Sequence, residues 1–183
     1  MQESGLLKRA KRFEPQALQA LHERYFAPIY RYLRLKTADL PQAEDLTSEV
    51  FERVLIQLQR GHGWKTTPQA WIFGIARHTL ADHYRGLARR GKDVALEVAD
   101  YQISDPTALS SNWAERLDLL TALDQLPQAY QDVVILRFVE RLRIQETAEA
   151  MNRTPDAVKA LQRRALRKLA AILKRTEKSE PAE

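Results

Sequence analysis

Cysteine is absent from all 183 residues. That absence excludes disulfides and every cysteine-ligated zinc site, and it is compatible with a reducing compartment such as the cytoplasm, the expected location. Glycine is scarce, at six residues, and none builds a phosphate-cradling loop. Long apolar runs are missing. The opening MQESGLLKRAKRF has no apolar core of signal-peptide length, and no stretch approaches the ~20 apolar residues of a spanning helix. Membrane insertion is therefore not expected. Alternating β-branched runs joined by hairpin turns are also lacking, which argues against sheets. No carboxylate–histidine cluster has metal-ligand spacing. His78 and His83 stand five apart and do not share a helix face. The patterns call for no metal, no cofactor and no catalytic residue.

What remains is rich in Ala, Leu, Gln, Glu, Arg and Lys, all helix formers, so the expected fold is all-α. Breakers divide it. Pro15 opens a helix to about Leu35. Asp39 is placed as an N-cap with Gln42 three residues on, opening a helix to about Gln59 that Gly61-His62-Gly63 ends. Pro68 starts another, to about Arg90, and Gly91 closes it. From Gly91 to about Ser111 the periodicity fades. Helical patterning then returns from Asn112, with a polar tail expected to fray after about Lys174.

Charge follows the same division. Residues 1–91 carry 15 Lys/Arg against 9 Asp/Glu, residues 92–118 carry 2 against 6, and residues 119–183 carry 12 against 9. Two basic blocks flank an acidic connector, a pattern suited to a polyanionic partner or to ordinary solvated helices. The expected organisation is an N-terminal helical domain at 1–91, a flexible acidic linker at 92–111, a C-terminal helical domain at 112–175 and a disordered tail at 176–183.

The sharpest motif lies between Ile144 and Leu169. Ile144–Met151 reads as a short helix, and Asn152 tolerates the left-handed turn that must follow. Thr154-Pro155 supplies an N-cap and a first-turn proline. Small Ala148, turn residue Asn152 and β-branched Val158 have helix-turn-helix spacing. At ~100° per residue, Val158, Leu161, Ala165, Leu169 and Ile172 share one face of the second helix. Asp156, Ala160, Arg163, Arg164 and Arg167 share the opposite face, with Lys159 on its flank. One side can be buried while the other offers guanidinium groups to guanine edges and phosphates. A surface amphipathic helix with paired arginines would read similarly, but few acids lie at i±4 on that face.

Two N-terminal segments also stand out. The Gln42–Gln59 helix has a broad apolar arc (Ala43, Leu46, Val50, Phe51, Val54, Leu55, Leu58) beside the acids Asp45, Glu49 and Glu52. It reads either as a core helix with a solvated acidic face or as a docking helix for a basic partner. The segment from Gly63 mixes aromatics with bases: Trp64, Lys65, Trp71, Phe73, Arg77, His78, His83, Tyr84, Arg85, Arg89 and Arg90. Such mixtures suit single-stranded nucleic acid, whose bases stack and whose backbone needs cations. Trp71, Phe73 and Ile75 could equally be core, whereas Trp64, expected in a loop, is the better stacking candidate.

These residues resemble the extracytoplasmic-function sigma factors of the sigma-70 superfamily. Pro41-Gln-Ala-Glu-Asp-Leu-Thr-Ser-Glu-Val-Phe-Glu-Arg-Val54 is similar to their core-polymerase-binding helix. Ala70-Trp-Ile-Phe-Gly-Ile-Ala-Arg77, with Asp82 and Arg85 downstream, is similar to their promoter-melting segment. Leu123-Asp-Gln-Leu-Pro127, Val133-Val-Ile-Leu-Arg-Phe138 and the helix-turn-helix resemble their C-terminal domain.

The resemblance implies a factor that directs promoter-specific initiation without catalysing RNA synthesis. Asp45, Glu49, Val50, Phe51, Glu52 and Val54 would dock on the polymerase clamp helices, and the C-terminal domain would meet the flap. Trp64, Lys65, Trp71, Arg77, His78, Asp82, Arg85, Arg89 and Arg90 would serve the minus-ten element. Thr154, Asp156, Lys159, Ala160, Arg163, Arg164 and Arg167 would read the minus-thirty-five element as duplex. Partners implied are core RNA polymerase, promoter DNA and an anti-sigma factor, which is common in the family. Arg141 and Asn152 stand where the family often has glycine, Thr147 where Ile is usual, Ala160 where Ser is usual, and His78 where Asn is frequent.

Two other classes compete. A stand-alone helix-turn-helix regulator would explain the C-terminal half but leaves Pro41–Val54 and the aromatic-basic segment without a purpose. An enzyme would need a cluster of reactive groups that the spacing does not supply.

Overall fold

The computed structural model describes residues 3–37, 39–89 and 113–179. The acidic linker at 92–111 and Arg90 therefore lie outside the described residues. Within them the chain is all-α, with helices α1 (Glu3–Lys11), α2 (Pro15–Arg34), α3 (Leu40–Gln59), α4 (Pro68–Arg89), α5 (Trp113–Asp124), α6 (Gln128–Val134), α7 (Ile144–Ala150) and α8 (Pro155–Ser179). A single π-turn, Ile135–Val139, prolongs α6.

The local signals act as the chemistry requires. Asp39 caps α3, its carboxylate accepting from the Gln42 N–H at 3.1 Å. Gly61, at φ +80°, ends the same helix in a conformation that costs glycine little. Asn152 makes the turn between α7 and α8 at φ +49°, and Thr154 Oγ1 accepts from the Ala157 N–H at 3.2 Å to cap α8. Glu146 reaches back from α7 to the Arg143 N–H at 2.6 Å.

One element lies where no helix was assigned from the sequence, and one runs longer than expected. Glu3–Lys11 is helical although its short polar sequence gives little warning; Leu6 and Ala10 are buried against the following helices. Helix α8 also continues to Ser179, past the point where fraying was expected.

Helices α2, α3 and α4 pack together with α1 against α2 and α3, while α6, α7 and α8 form the helix-turn-helix group with α5 against α8. The two groups do not stand apart. Helix α4 packs directly on α7, and buried side chains from both groups join in one apolar cluster. Tyr32, Ile72 and Phe73 from the first group and Ile135, Leu136 and Leu142 from the second are all fully buried.

Candidate functional site

Helix α8 divides as its periodicity dictates. Val158, Leu161, Ala165 and Leu169 are buried, and Ile172 packs half-buried beside them. Arg163, Arg164 and Arg167 are exposed and, with Ala160 and Leu166, line a shallow depression of about 610 Å³. Among the described residues none of the three has an acidic partner within 4 Å. Asp156 is instead taken by Lys159, Nζ to Oδ1 at 3.1 Å, at the start of the helix. Thr154 serves the N-cap. The structure thus brings together an open guanidinium row on a rigid helix. Such a row can form bidentate contacts to phosphates or base edges without first breaking a salt bridge.

On α3, Asp45 and Glu52 are exposed, and Glu49 is half-buried and paired with Arg53 at 2.7 Å. Val50 and Val54, expected on the docking face, belong to the core instead: Val50 is fully buried and Val54 nearly so. Helices α2 and α4 both pack on α3 and close Val50 off from this face, while Val54 still lines the groove beside it. Residues that sequence reasoning did not assign take their place. Leu55 and Ile56 are exposed on α3, and Phe26 is exposed on α2. Phe51 lies between them, with ring centroids 4.7 Å from His22 and 6.1 Å from Phe26. Leu18, Leu21, His22, Phe51, Val54 and Leu55 line an apolar groove of about 300 Å³. Leu55 was legible as part of the arc; the contribution of α2 required knowing how the two helices pack.

The aromatic-basic segment is less open than its composition suggests. Trp64 is buried, its ring 6.0 Å from that of Trp71, so the loop that precedes α4 tucks its aromatic inward rather than presenting it for stacking. Its apolar ring finds a partner in half-buried Trp71, which removes it from water. Lys65, His78, Arg85 and Arg89 are exposed. Asp82 bridges two cations, accepting from Arg53 at 2.7 Å and from Arg85. The hydrogen bond from Arg53 is the largest influence on its carboxyl, which is held below the ordinary value.

Arg77 faces inward, toward the helix-turn-helix group. Its Nε donates to Asp132 Oδ2 at 2.8 Å and its Nη1 to the Ala150 carbonyl at 3.0 Å. Asp132 also accepts from Tyr32 at 2.8 Å and from Lys36. Burial alone would raise the Asp132 carboxyl, but the charges of Lys36 and Arg77 outweigh it and the net shift is downward. Burial lowers Lys36, opposed by Asp132. The ionised carboxylate is the firmer of the two states, because it faces two cations whereas Lys36 faces one anion and the like charge of Arg77. Further contacts join the groups, among them the Gln69 side chain donating to the Glu140 carbonyl at 3.2 Å. Arg31 donates twice to Glu140, at 2.8 Å each. The Lys65 and Thr66 N–H groups donate to Glu149 at 3.3 and 3.2 Å, together with the Thr66 hydroxyl.

Comparison with known proteins places these surfaces in a family. Residues 21–90 match the Sigma-70 region 2 family and residues 116–169 match Sigma-70, region 4. The chain is 33% identical to the ECF RNA polymerase sigma factor BldN of Streptomyces coelicolor, over 92% of this chain and 64% of that protein. It is 30% identical to the ECF RNA polymerase sigma factor SigX of Bacillus subtilis, over 84% of this chain and 82% of the relative. Among solved structures, the fold is similar to CnrH in complex with the cytosolic domain of CnrY, with TM-score 0.69 and 19% identity over 94% of this chain and 97% of that one. It is also similar to RpoE in complex with the anti-sigma factor NepR from Bartonella quintana, with TM-score 0.70 and 18% identity over 85% and 96%.

Proposed function

The chain belongs to the extracytoplasmic-function sigma factors of the sigma-70 family, and on that premise we propose that it binds core RNA polymerase and directs it to promoters with its own minus-ten and minus-thirty-five sequences. The observation that carries the reading is the row of Arg163, Arg164 and Arg167, exposed and without an acidic partner among the described residues, on a helix buried along its other side. It stands behind a region 2 whose acidic helix flanks an open apolar groove. A docking helix without a reading helix would give binding without promoter choice. A reading helix without a docking face would give a repressor.

In this reading residues 1–91 hold the polymerase-binding and minus-ten functions. Asp45, Glu49 and Glu52 meet basic clamp-helix residues, while Phe51, Leu55 and Ile56 supply apolar contact. Residues 112–175 meet the polymerase flap and read the minus-thirty-five element through Lys159, Arg163, Arg164 and Arg167. Residues 92–111 form the connector between them. Lys65, His78, Arg85, Arg89 and Arg90 approach the minus-ten strand, joined by Trp64, Trp71 and Arg77 once they are released from their present contacts. Promoter choice of this kind takes place in the cytoplasm. No helix among the described residues is long and apolar enough to cross a membrane. An anti-sigma factor is a further partner, as NepR is for RpoE in the complex named above.

The test is run-off transcription with reconstituted core polymerase on a library of random upstream sequences. Transcripts starting downstream of shared paired motifs are the expected result. Transcription without selected motifs would defeat the proposal.

A further inference from the structure

Resting on that reading, we propose that α1 extends the strand-binding surface, with Lys8, Lys11 and Arg12 holding backbone phosphates of single-stranded promoter DNA and Phe13 stacking on one of its bases. The match to Sigma-70 region 2 begins at residue 21. Helix α1 and the turn after it therefore lie outside the part of the chain for which that family accounts.

The helix is amphipathic, and one of its faces has no partner. Leu6 and Ala10 are buried. At ~100° per residue, Lys8, Lys11 and Arg12 fall on the opposite side, and all three are exposed. They are neighbours at i,i+3 and i,i+4, where like charges repel. The dipole at the C-terminal end of α1 offsets part of that repulsion. Acids do not offset the rest: among the described residues none of the three is paired with a carboxylate. Glu14, the acid that follows them, is taken by Arg9, whose Nε donates to Oε2 at 2.6 Å. Free cations on a rigid helix hold phosphate without first breaking a salt bridge.

Phe13 follows directly. It is 40% exposed and holds φ +57°, a conformation that a bulky residue adopts rarely and at a cost. Its N–H donates to the Ala10 carbonyl at 3.0 Å, and the Glu14 N–H donates to the Arg9 carbonyl at 3.1 Å, so the turn is held. An exposed ring beside a row of cations is the composition that binds single strands. A duplex keeps its base faces stacked on one another and offers such a ring nothing to cover.

Position ties this face to the minus-ten segment. The loop before α4 rests on α1. A Cβ at Gly63 would run into Leu7 Cδ1, and Lys11 Cε lies 3.4 Å from the same point. Two residues further on, Lys65 is exposed. The cations of α1 thus continue a track that Lys65 begins.

The test uses polymerase reconstituted with the full chain and a fluorescent single strand that carries a selected minus-ten motif with long flanks on both sides. Each phosphate contact on a single strand contributes about 0.7 to the slope of log affinity against log salt. Lys8→Ala/Lys11→Ala/Arg12→Ala should therefore lower that slope by about 2. The charge-preserving Lys8→Arg/Lys11→Arg/Arg12→Lys should keep it. Phe13→Leu should weaken strand binding by about fivefold or more at an unchanged slope. Alanine favours the helix, and the three positions are exposed, so helical circular dichroism should not change.

An unchanged slope in the alanine variant, or unchanged strand affinity in Phe13→Leu, would overturn the proposal. An equal loss on a minus-thirty-five duplex would do the same, since the effect would then be general electrostatics. Loss of binding to phosphatidylglycerol vesicles with the strand slope intact would assign the face to a membrane surface, again against the proposal. Run-off transcription with the unsubstituted chain separates the two levels. Absence of promoter selection defeats the sigma-factor reading and this proposal with it, whereas promoter selection with an unchanged slope defeats this proposal alone.

Discussion

Arg141 and Asn152 bracket the first helix of the helix-turn-helix, and both hold positive φ, +57° and +49°. Asn bears this conformation through local hydrogen bonding, whereas Arg has no such relief. Replacing Arg141 by Gly removes a steric cost of about 1–2 kcal/mol and adds a smaller backbone-entropy cost. Arg141→Gly should therefore raise stability by about 0.5–1 kcal/mol, read as a higher denaturation midpoint at unchanged slope. Thr79 is a second marked position. Its hydroxyl is the buried side-chain polar atom left without a partner among the described residues. Thr79→Val should match or exceed the unsubstituted chain's stability, by up to about 1 kcal/mol, because an unsatisfied hydroxyl is replaced by a methyl group of similar shape. On the reading face, Arg164→Ala or Arg167→Ala should weaken binding to a selected minus-thirty-five duplex by about 1–3 kcal/mol where the contact is bidentate to a base. Fluorescence anisotropy with that duplex checks this; equal affinity would remove the residue from the interface.

Helices α2 and α3 show how far tertiary packing overrides local preference. Pro28 lies inside α2, where proline costs about 3 kcal/mol relative to alanine. The helix persists because Leu21, Tyr25, Ile29, Tyr32 and Leu33 along its length are buried, and burying even two such side chains stabilises by a comparable amount. The apolar arc of α3 is wider than its own core contact needs. Val50, Val54 and Leu58 fill the core, while Leu55 and Ile56 stay exposed beside Asp45 and Glu52. That leftover apolar edge with acids along it is what a partner helix of opposite charge would cover. Asp45→Arg should reduce capture of core polymerase in a pull-down by at least about tenfold, since like charges now face each other. The helical circular dichroism should be unchanged, because Asp45 is exposed and has no role in the cap. Undiminished capture would detach this face from polymerase binding.

At the scale of the molecule, the two helical groups are joined through Asp132 and its partners Tyr32, Lys36 and Arg77. The Asp132 carboxyl is held below its ordinary value, since Lys36 and Arg77 outweigh the effect of burial. The stabilisation this confers is fully present above the unfolded carboxylate value, about 4, and is lost as pH falls through the lower folded value. Burial raises Tyr32 far above neutrality, so it stays a neutral donor throughout that range. The compact scattering profile and thermal midpoint should therefore hold between pH 5 and 7, then fall together below about pH 4. In Asp132→Asn the midpoint should already be lower at pH 7, and its acid dependence should be shallower. An unchanged acid profile in that variant would remove Asp132 from the linkage.

Much of this protein is legible in its sequence. Proline at the first turns of α4 and α8, Asp39 and Thr154 as caps, and Asn152 at the turn are local matters, settled by each residue's own φ preference and hydrogen-bonding reach. The two faces of α8 follow from 3.6-residue periodicity alone, and with them the arginine row. Charge and motif order carried the chain to its family. Other features depend on residues distant in sequence. Trp64 and Trp71 shield one another, and Val50 and Val54 are buried while Phe26 and Leu55 stay exposed. Arg77 meets a carboxylate 55 positions away. Periodicity says that a face is apolar or charged, but only packing says which neighbour covers it. For that reason the sequence by itself determined the helices and the arginine face of α8, while the tertiary structure alone decided that Arg77 and the Lys65–Thr66 loop lie against the chain's own acidic groups.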